Sequence, residues 1–319
     1  MQKIPQLKFA STIYRFMLLL AVLMGLIPKA VAQPAIAEKP KSADQETHAE
    51  EWVRLAVDEN KKPLALEVAI VRYVDKRDAD KNPAKVTKYV DLIGAVHVGD
   101  LGYYQELNRR FGGYDALLYE LIAPEGTVVE RGRGTSSVHP LGALQNGMKS
   151  VLELEHQLEK IDYTRPNFVH ADLSPDEFMQ SMQDKNESFL QLLIRMMGQG
   201  IVQQSQQAAA NESTDLDFFM AIMAKDRARQ LKIVMAKQFS AMESMLNGLS
   251  GPDGSTIITE RNKRALEVLR QQQTAGKRKL GIFYGAGHLP DMHERLLEEF
   301  GMQPIATVWL EAWDLRPKK

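Results

Sequence analysis

Two stretches far apart in this chain carry one pattern, and any fold has to accommodate both. Gly94-Ala95-Val96-His97 closes one apolar run, and Gly285-Ala286-Gly287-His288 closes another. Phe111-Gly112 after the first is answered by Phe300-Gly301 after the second. The interval from His97 to Glu120 equals that from His288 to Glu311. Motif, helix closure and acid spacing together point to a duplicated unit.

Each unit reads as strand, helix, strand. Residues 86–98 become wholly apolar at Leu92-Ile93-Gly94-Ala95-Val96, the mark of a strand buried on both faces. Leu101, Tyr104, Leu107 and Phe111 then recur at helical spacing, Gly112-Gly113 ends that helix, and 114–122 is the next strand. Residues 279–288, 290–300 and 303–313 repeat the order, while 64–74 alternates as an antiparallel or edge strand does. The expected fold class is therefore α/β, with a central, mainly parallel sheet built from two duplicated βαβ units. A large all-helical insertion is expected over about 141–276, broken by Pro166, Pro175 and the 208–214 and 248–254 stretches. It holds Met179, Met182, Met196, Met197, Met220, Met223, Met235, Met242 and Met245. They read first as helix-packing filler and second as an adaptable groove for peptide or lipid.

The N-terminus predicts the compartment. Lys3, Lys8 and Arg15 precede an apolar run over 16–27, followed by Ala30-Val31-Ala32, the order of a secretory signal peptide cut after Ala32. That run is well short of the roughly 20 residues needed to span a bilayer, so no permanent membrane anchor is expected after cleavage. Residues 33–51 read as a flexible leader, and one folded domain is expected over 52–319, in a periplasmic or secreted protein. Removing 1–32 takes away Lys3, Lys8, Arg15 and Lys29 and no acid, so 40 basic against 41 acidic residues becomes a mildly acidic chain. Such a surface offers no basic face for nucleic acid. With no cysteine the exported chain uses no disulfides and rests on an ordinary core.

Parallel strands put their C-terminal ends along one crevice, so His97, His288 and the acids after the following strands are expected to converge there. Gly94 and Gly285 suit close backbone approach at those ends. Two imidazoles and a carboxylate form a catalytic metal-ligand set with positions left for water and substrate, and the ion would bring its water toward neutral pKa. The expected ligands are His97, His288 and Glu120, with Glu120 as ligand or general base. Glu311 is an additional candidate, against the reading of a solvated strand charge. His170 and Asp172 precede the Ser174-Pro175-Asp176-Glu177 helix start and are either further ligands or parts of the loop and cap. Glu130-Arg131-Gly132-Arg133-Gly134 lacks the Gly-Lys-Ser/Thr ending of a phosphate loop and reads as a mobile loop near the crevice.

These segments resemble a known family. Ile93-Gly94-Ala95-Val96-His97-Val98-Gly99, Leu117-Leu118-Tyr119-Glu120, Glu260-Arg261-Asn262 and Tyr284-Gly285-Ala286-Gly287-His288-Leu289 are similar to the TraB/PrgY/GumN group. That group includes the Tiki Wnt-cleaving metalloproteases and is distantly similar to erythromycin esterase and the haem-binding ChaN fold. The resemblance implies a functional set of His97, Glu120, Arg261 and His288. Arg261 would clamp a substrate carboxylate or stabilise an oxyanion. Where GumN-like members carry glycines after the second motif, this chain has Pro290-Asp291-Met292-His293. The expected function is an exported metal-dependent hydrolase, peptidase-like, using Mn, Co or Zn on a peptide or protein substrate. The alternatives are a non-catalytic peptide- or haem-binding protein and an esterase with a histidine base and no metal.

Overall fold

The structure, a computed structural model, describes residues 51–124, 126, 127, 129, 152–185, 214–247 and 255–317. The expected signal peptide, nearly all of the leader, the 130–134 loop, Met196 and Met197 lie outside the described residues. All that is described belongs to one compact unit.

A seven-stranded sheet organises that unit. Its strands are β1 (Val53–Val57), β2 (Pro63–Asp75), β3 (Tyr89–Ala95), β5 (Ala116–Tyr119), β7 (Phe168–His170), β8 (Lys279–Gly285) and β9 (Met302–Asp314). A separate small ribbon pairs β4 (Val98–Gly99) with β6 (Glu155–His156). In the main sheet β3, β8, β5 and β7 lie side by side and parallel. The long β2 runs antiparallel to β1 and β3 on one edge and to β9 on the other. Every strand but β2 therefore points the same way, and the chain is an α/β protein with a mainly parallel sheet.

Helices cover both faces. The α-helices are α1 (Leu101–Phe111), α2 (Gln157–Lys160), α3 (Pro175–Asp184), α4 (Thr214–Met223), α5 (Arg227–Asn247), α6 (Arg261–Thr274) and α7 (Leu289–Glu298). On α1 the buried Tyr103, Tyr104, Leu107 and Phe111 stand at helical spacing. They pack with Ile93 and Ala95 of β3, Leu231 and Val234 of α5, and Trp313. The opposite face joins Val90 and Leu92 of β3 to Leu266 and Leu269 of α6 and Leu289, Met292 and Leu296 of α7. From Leu92 onward β3 is continuously apolar because alternate side chains enter the two cores, as a parallel strand between helical layers requires. At Gly94 an added Cβ would lie 2.4 Å from Val68 Cγ1 and 3.2 Å from Ala69 O, so only glycine lets β3 meet β2 this closely.

Two features differ from the sequence reading. Strand β8 lies between β3 and β5, and β9 lies beyond β2, so neither strand-helix-strand unit has adjacent strands. The stretch over 141–276 is not wholly helical either, because β6 and β7 fall within it and β7 extends the sheet beside β5. Among the described residues no helix is long and apolar enough to cross a membrane.

Candidate catalytic crevice

The four parallel strands end level with one another, Ala95 beside Gly285 and Tyr119 beside both Phe283 and His170. Whatever follows each strand therefore emerges along one edge. His97 follows β3, His288 ends a 3-10 turn at Ala286–His288 after β8, Glu120 follows β5, and Asp172 follows β7. The fifth member comes from the other direction: a π-helical turn at Thr256–Glu260, capped by Ser255, leads into α6. That turn offsets the helix so that consecutive residues Arg261 and Asn262 are both buried against the strand ends.

Arg261 grips two acids. Its Nε donates to Asp172 Oδ1 at 2.9 Å and its Nη2 to Asp172 Oδ2 at 2.6 Å. The same Nη2 donates to Glu120 Oε1 at 2.7 Å, while Glu120 Oε2 accepts from the Gly285 N–H at 2.6 Å. Gly285 has no Cβ for good reason, since one would stand 3.2 Å from that carboxylate oxygen. His288 Nε2 lies 3.6 Å from Glu120 Oε1 and 3.4 Å from Arg261 Nη1. Its Nδ1 is 2.7 Å from Asn262 Oδ1, and Tyr284 packs edge-on to its ring. His97 is exposed at the mouth, close enough for its charge to act on both Glu120 and His288.

Burial pushes His288 down to about 4, which leaves it neutral at ordinary pH. Burial also disfavours the charged form of Glu120, but its positive neighbours and the Gly285 N–H outweigh that and hold its carboxyl below the usual glutamate range. At the acid pH where that carboxyl titrates His288 is protonated, and it and Arg261 are the principal charges doing so. For Arg261 itself, burial opposes the charge, while Asp172 and Glu120 more than restore it. Such a set can orient a substrate, stabilise developing negative charge and exchange a proton at Glu120 or His288.

The sequence candidates divide accordingly. His97, Glu120, Arg261, His288 and Asp172 are brought to one edge. His170 ends β7 close by, but its Nε2 is taken by the Leu121 carbonyl at 2.6 Å. Glu311 is elsewhere: it lies on β9 opposite Glu67 and pairs with Arg316 at 2.9 Å, because β9 flanks β2 rather than β8. Equal intervals in sequence did not bring equal positions in the sheet. Pro290-Asp291-Met292-His293 forms the first turn of α7, within the helix expected over 290–300, with Met292 in the core and His293 Nδ1 2.7 Å from the Tyr73 hydroxyl.

Residues that sequence reasoning passed over are Asn262 as a contact, Asp291, and the pair Gln157 and Tyr163. The Gln157 backbone N–H bonds the His97 carbonyl at 3.0 Å and its Nε2 donates to the Tyr163 hydroxyl at 2.8 Å. The clue to Asn262 was available: with Ala265 and Leu269 it falls on the apolar face of α6, where an amide needs partners.

Imidazole nitrogen and carboxylate oxygen suit a divalent ion in kind. Among the described residues, however, no three His, Asp or Glu side chains stand grouped for a metal. Two donors, His288 Nε2 and Glu120 Oε1, are converged, His97 stands at the rim, and Arg261 is bonded to Glu120.

No protein-family model, curated protein or solved structure matches the chain.

Proposed function

We propose that the chain is an exported metal-dependent hydrolase of the TraB/GumN kind, cleaving an amide bond in a peptide or protein substrate. The observation that carries this is a charge imbalance. Glu120 and Asp172 share a single guanidinium at the strand ends, with Asp172 wholly buried and Glu120 nearly so, while burial keeps His288 neutral. A buried cluster with one negative charge in excess favours a further cation. His97, His288 and Glu120 would hold it, as Mn, Co or Zn, with Arg261 kept on Asp172 by its fork. Such an ion, when bound, supplies a water acidic enough to attack near neutral pH.

The chain's own residues do the rest. Glu120, oriented by the Gly285 N–H, accepts a proton at a carboxylate oxygen. Arg261, anchored through Nε, offers Nη1 to the oxygen on which charge develops. Burial of His288, Asn262 and Asp172 excludes water from one side of the crevice. On the same reading the two Gly-x-x-His units are copies of one strand-helix-strand piece whose strands interleaved. The 141–276 stretch is an insertion in that frame, and 1–32 is a signal peptide that sends the chain to the periplasm or beyond.

One observation favours a second reading. Arg261 already supplies positive charge 2.7 Å from Glu120, which suits a site that binds or hydrolyses without a metal. Peptide-cleavage assays before and after chelation, with Mn, Co or Zn added back, separate the two. Loss on chelation and recovery on add-back is the expected result. Cleavage indifferent to chelator removes the metal, and binding of peptide or haem without cleavage removes the hydrolase.

A further inference from the structure

Asn262 is fully buried at the start of α6, and both ends of its amide are engaged. Its Nδ2 lies 2.9 Å from the His288 carbonyl oxygen and 2.8 Å from Asp291 Oδ2. Both are acceptors, so both amide protons are committed. Turning the amide over would set its oxygen against a carbonyl and a carboxylate, losing two hydrogen bonds and adding repulsion. Asp291 is itself held by Arg295 at 2.9 Å, which keeps the lock in place. The oxygen of Asn262 therefore faces His288 Nδ1. An amide oxygen only accepts, so Nδ1 must carry the hydrogen. In a neutral imidazole the lone pair is then on Nε2, the atom facing Glu120 and Arg261.

We propose that Asn262, locked by Asp291, is the positioning residue that holds His288 as its Nδ1–H tautomer and so delivers a lone pair on Nε2 to the crevice. The inference rests on the hydrolytic reading only for its catalytic meaning. With the proton on the other nitrogen, His288 would present an N–H to the crevice and serve neither as ligand nor as base.

Nitrogen-15 NMR of the full, histidine-labelled, chelator-treated chain at neutral pH reads the tautomer directly, with His288→Gln to assign the signals. Nδ1 is expected at the protonated end of the range and Nε2 at the unprotonated end. The reverse assignment, or two averaged signals, overturns the proposal. In Asn262→Leu both signals are expected to move toward the average, and an unchanged spectrum from a folded variant removes Asn262 from the role. Should that variant fail to fold, Asp291→Ala frees the amide without deleting it. A partial shift in the same direction is then expected, and a spectrum identical to the parent's overturns the lock. None of these measurements reads turnover, so a chain that cleaves nothing can pass and an active hydrolase can fail.

Discussion

Two buried aspartates in this sheet are each gripped by a guanidinium, one near the start of β3 and one past the end of β7. At the first, Arg72 Nε and Nη2 meet Asp91 at 2.8 and 2.9 Å, the Tyr114 hydroxyl adds a bond at 2.8 Å, and the guanidinium lies over Tyr89. One positive charge meets one negative charge, and both aspartate oxygens are satisfied. At the second, the same fork on Asp172 is shared with Glu120, and a neutral imidazole stands beside them. The first group completes itself, as a structural ion pair does. The second leaves a negative charge for something else to meet, beside an imidazole nitrogen held only by a long 3.4 Å contact from Arg261.

Substituting the acids tests that contrast most strongly. Glu120→Gln is expected to cut peptide hydrolysis by roughly 10²–10⁴-fold. It should cost little stability, about 1 kcal/mol or less, since Arg261 keeps Asp172. Asp91→Asn is expected to do the opposite, losing about 1–3 kcal/mol of stability with turnover of the folded fraction unchanged. Denaturant melts beside rate measurements check both, and equal stability losses would erase the distinction between the two groups.

Acid is the next lever. His288 is depressed from 6.5 to about 4, so between those values the unfolded chain binds more protons than the folded one. Stability therefore rises with pH through that window and is lost as pH falls. Glu120, held below its ordinary value despite burial, adds a further loss of the same sign in stronger acid. Melting temperature against pH, compared with His288→Gln, should show a shallower slope in the variant over 4 to 6.5. An identical slope would mean that His288 is not buried neutral.

The smallest effect concerns a methyl group. Gly285→Ala sets a Cβ 3.2 Å from Glu120 Oε2, tight enough to move the carboxylate but next to no rigid backbone. Hydrolysis is expected to fall about tenfold, with about 1 kcal/mol lost from stability. Gly94→Ala, against Val68 and Ala69, should cost more stability, about 1–3 kcal/mol. The reverse ranking in melts would show that Gly285, and not Gly94, answers to packing.

Periodicity made the elements of the sheet legible, because the apolar run into Gly94 and the spacing of Tyr104, Leu107 and Phe111 are local signals. Strand order was not legible. Nothing near residue 280 says that β8 slides between β3 and β5, since that choice is made by two cores closing at once. His97, Glu120, His288 and Asp172 could be placed at one edge because strand ends are local too, whereas Arg261, on a helix, was indicated only by the family resemblance. Glu311 failed as a companion because its position depends on β9 pairing with β2. Asp291 escaped notice because its role depends on an amide from another helix.

The slot that β8 fills also dictates when the crevice comes into being. A chain halted before Lys279 already carries His97, Glu120, Asp172 and Arg261, yet it has an open gap between β3 and β5 and no second imidazole. Closing that gap pairs segments nearly two hundred residues apart, a step that waits on the last part of the chain. Any activity housed there is silent in nascent or truncated chains and switches on only when the C-terminal segment threads home.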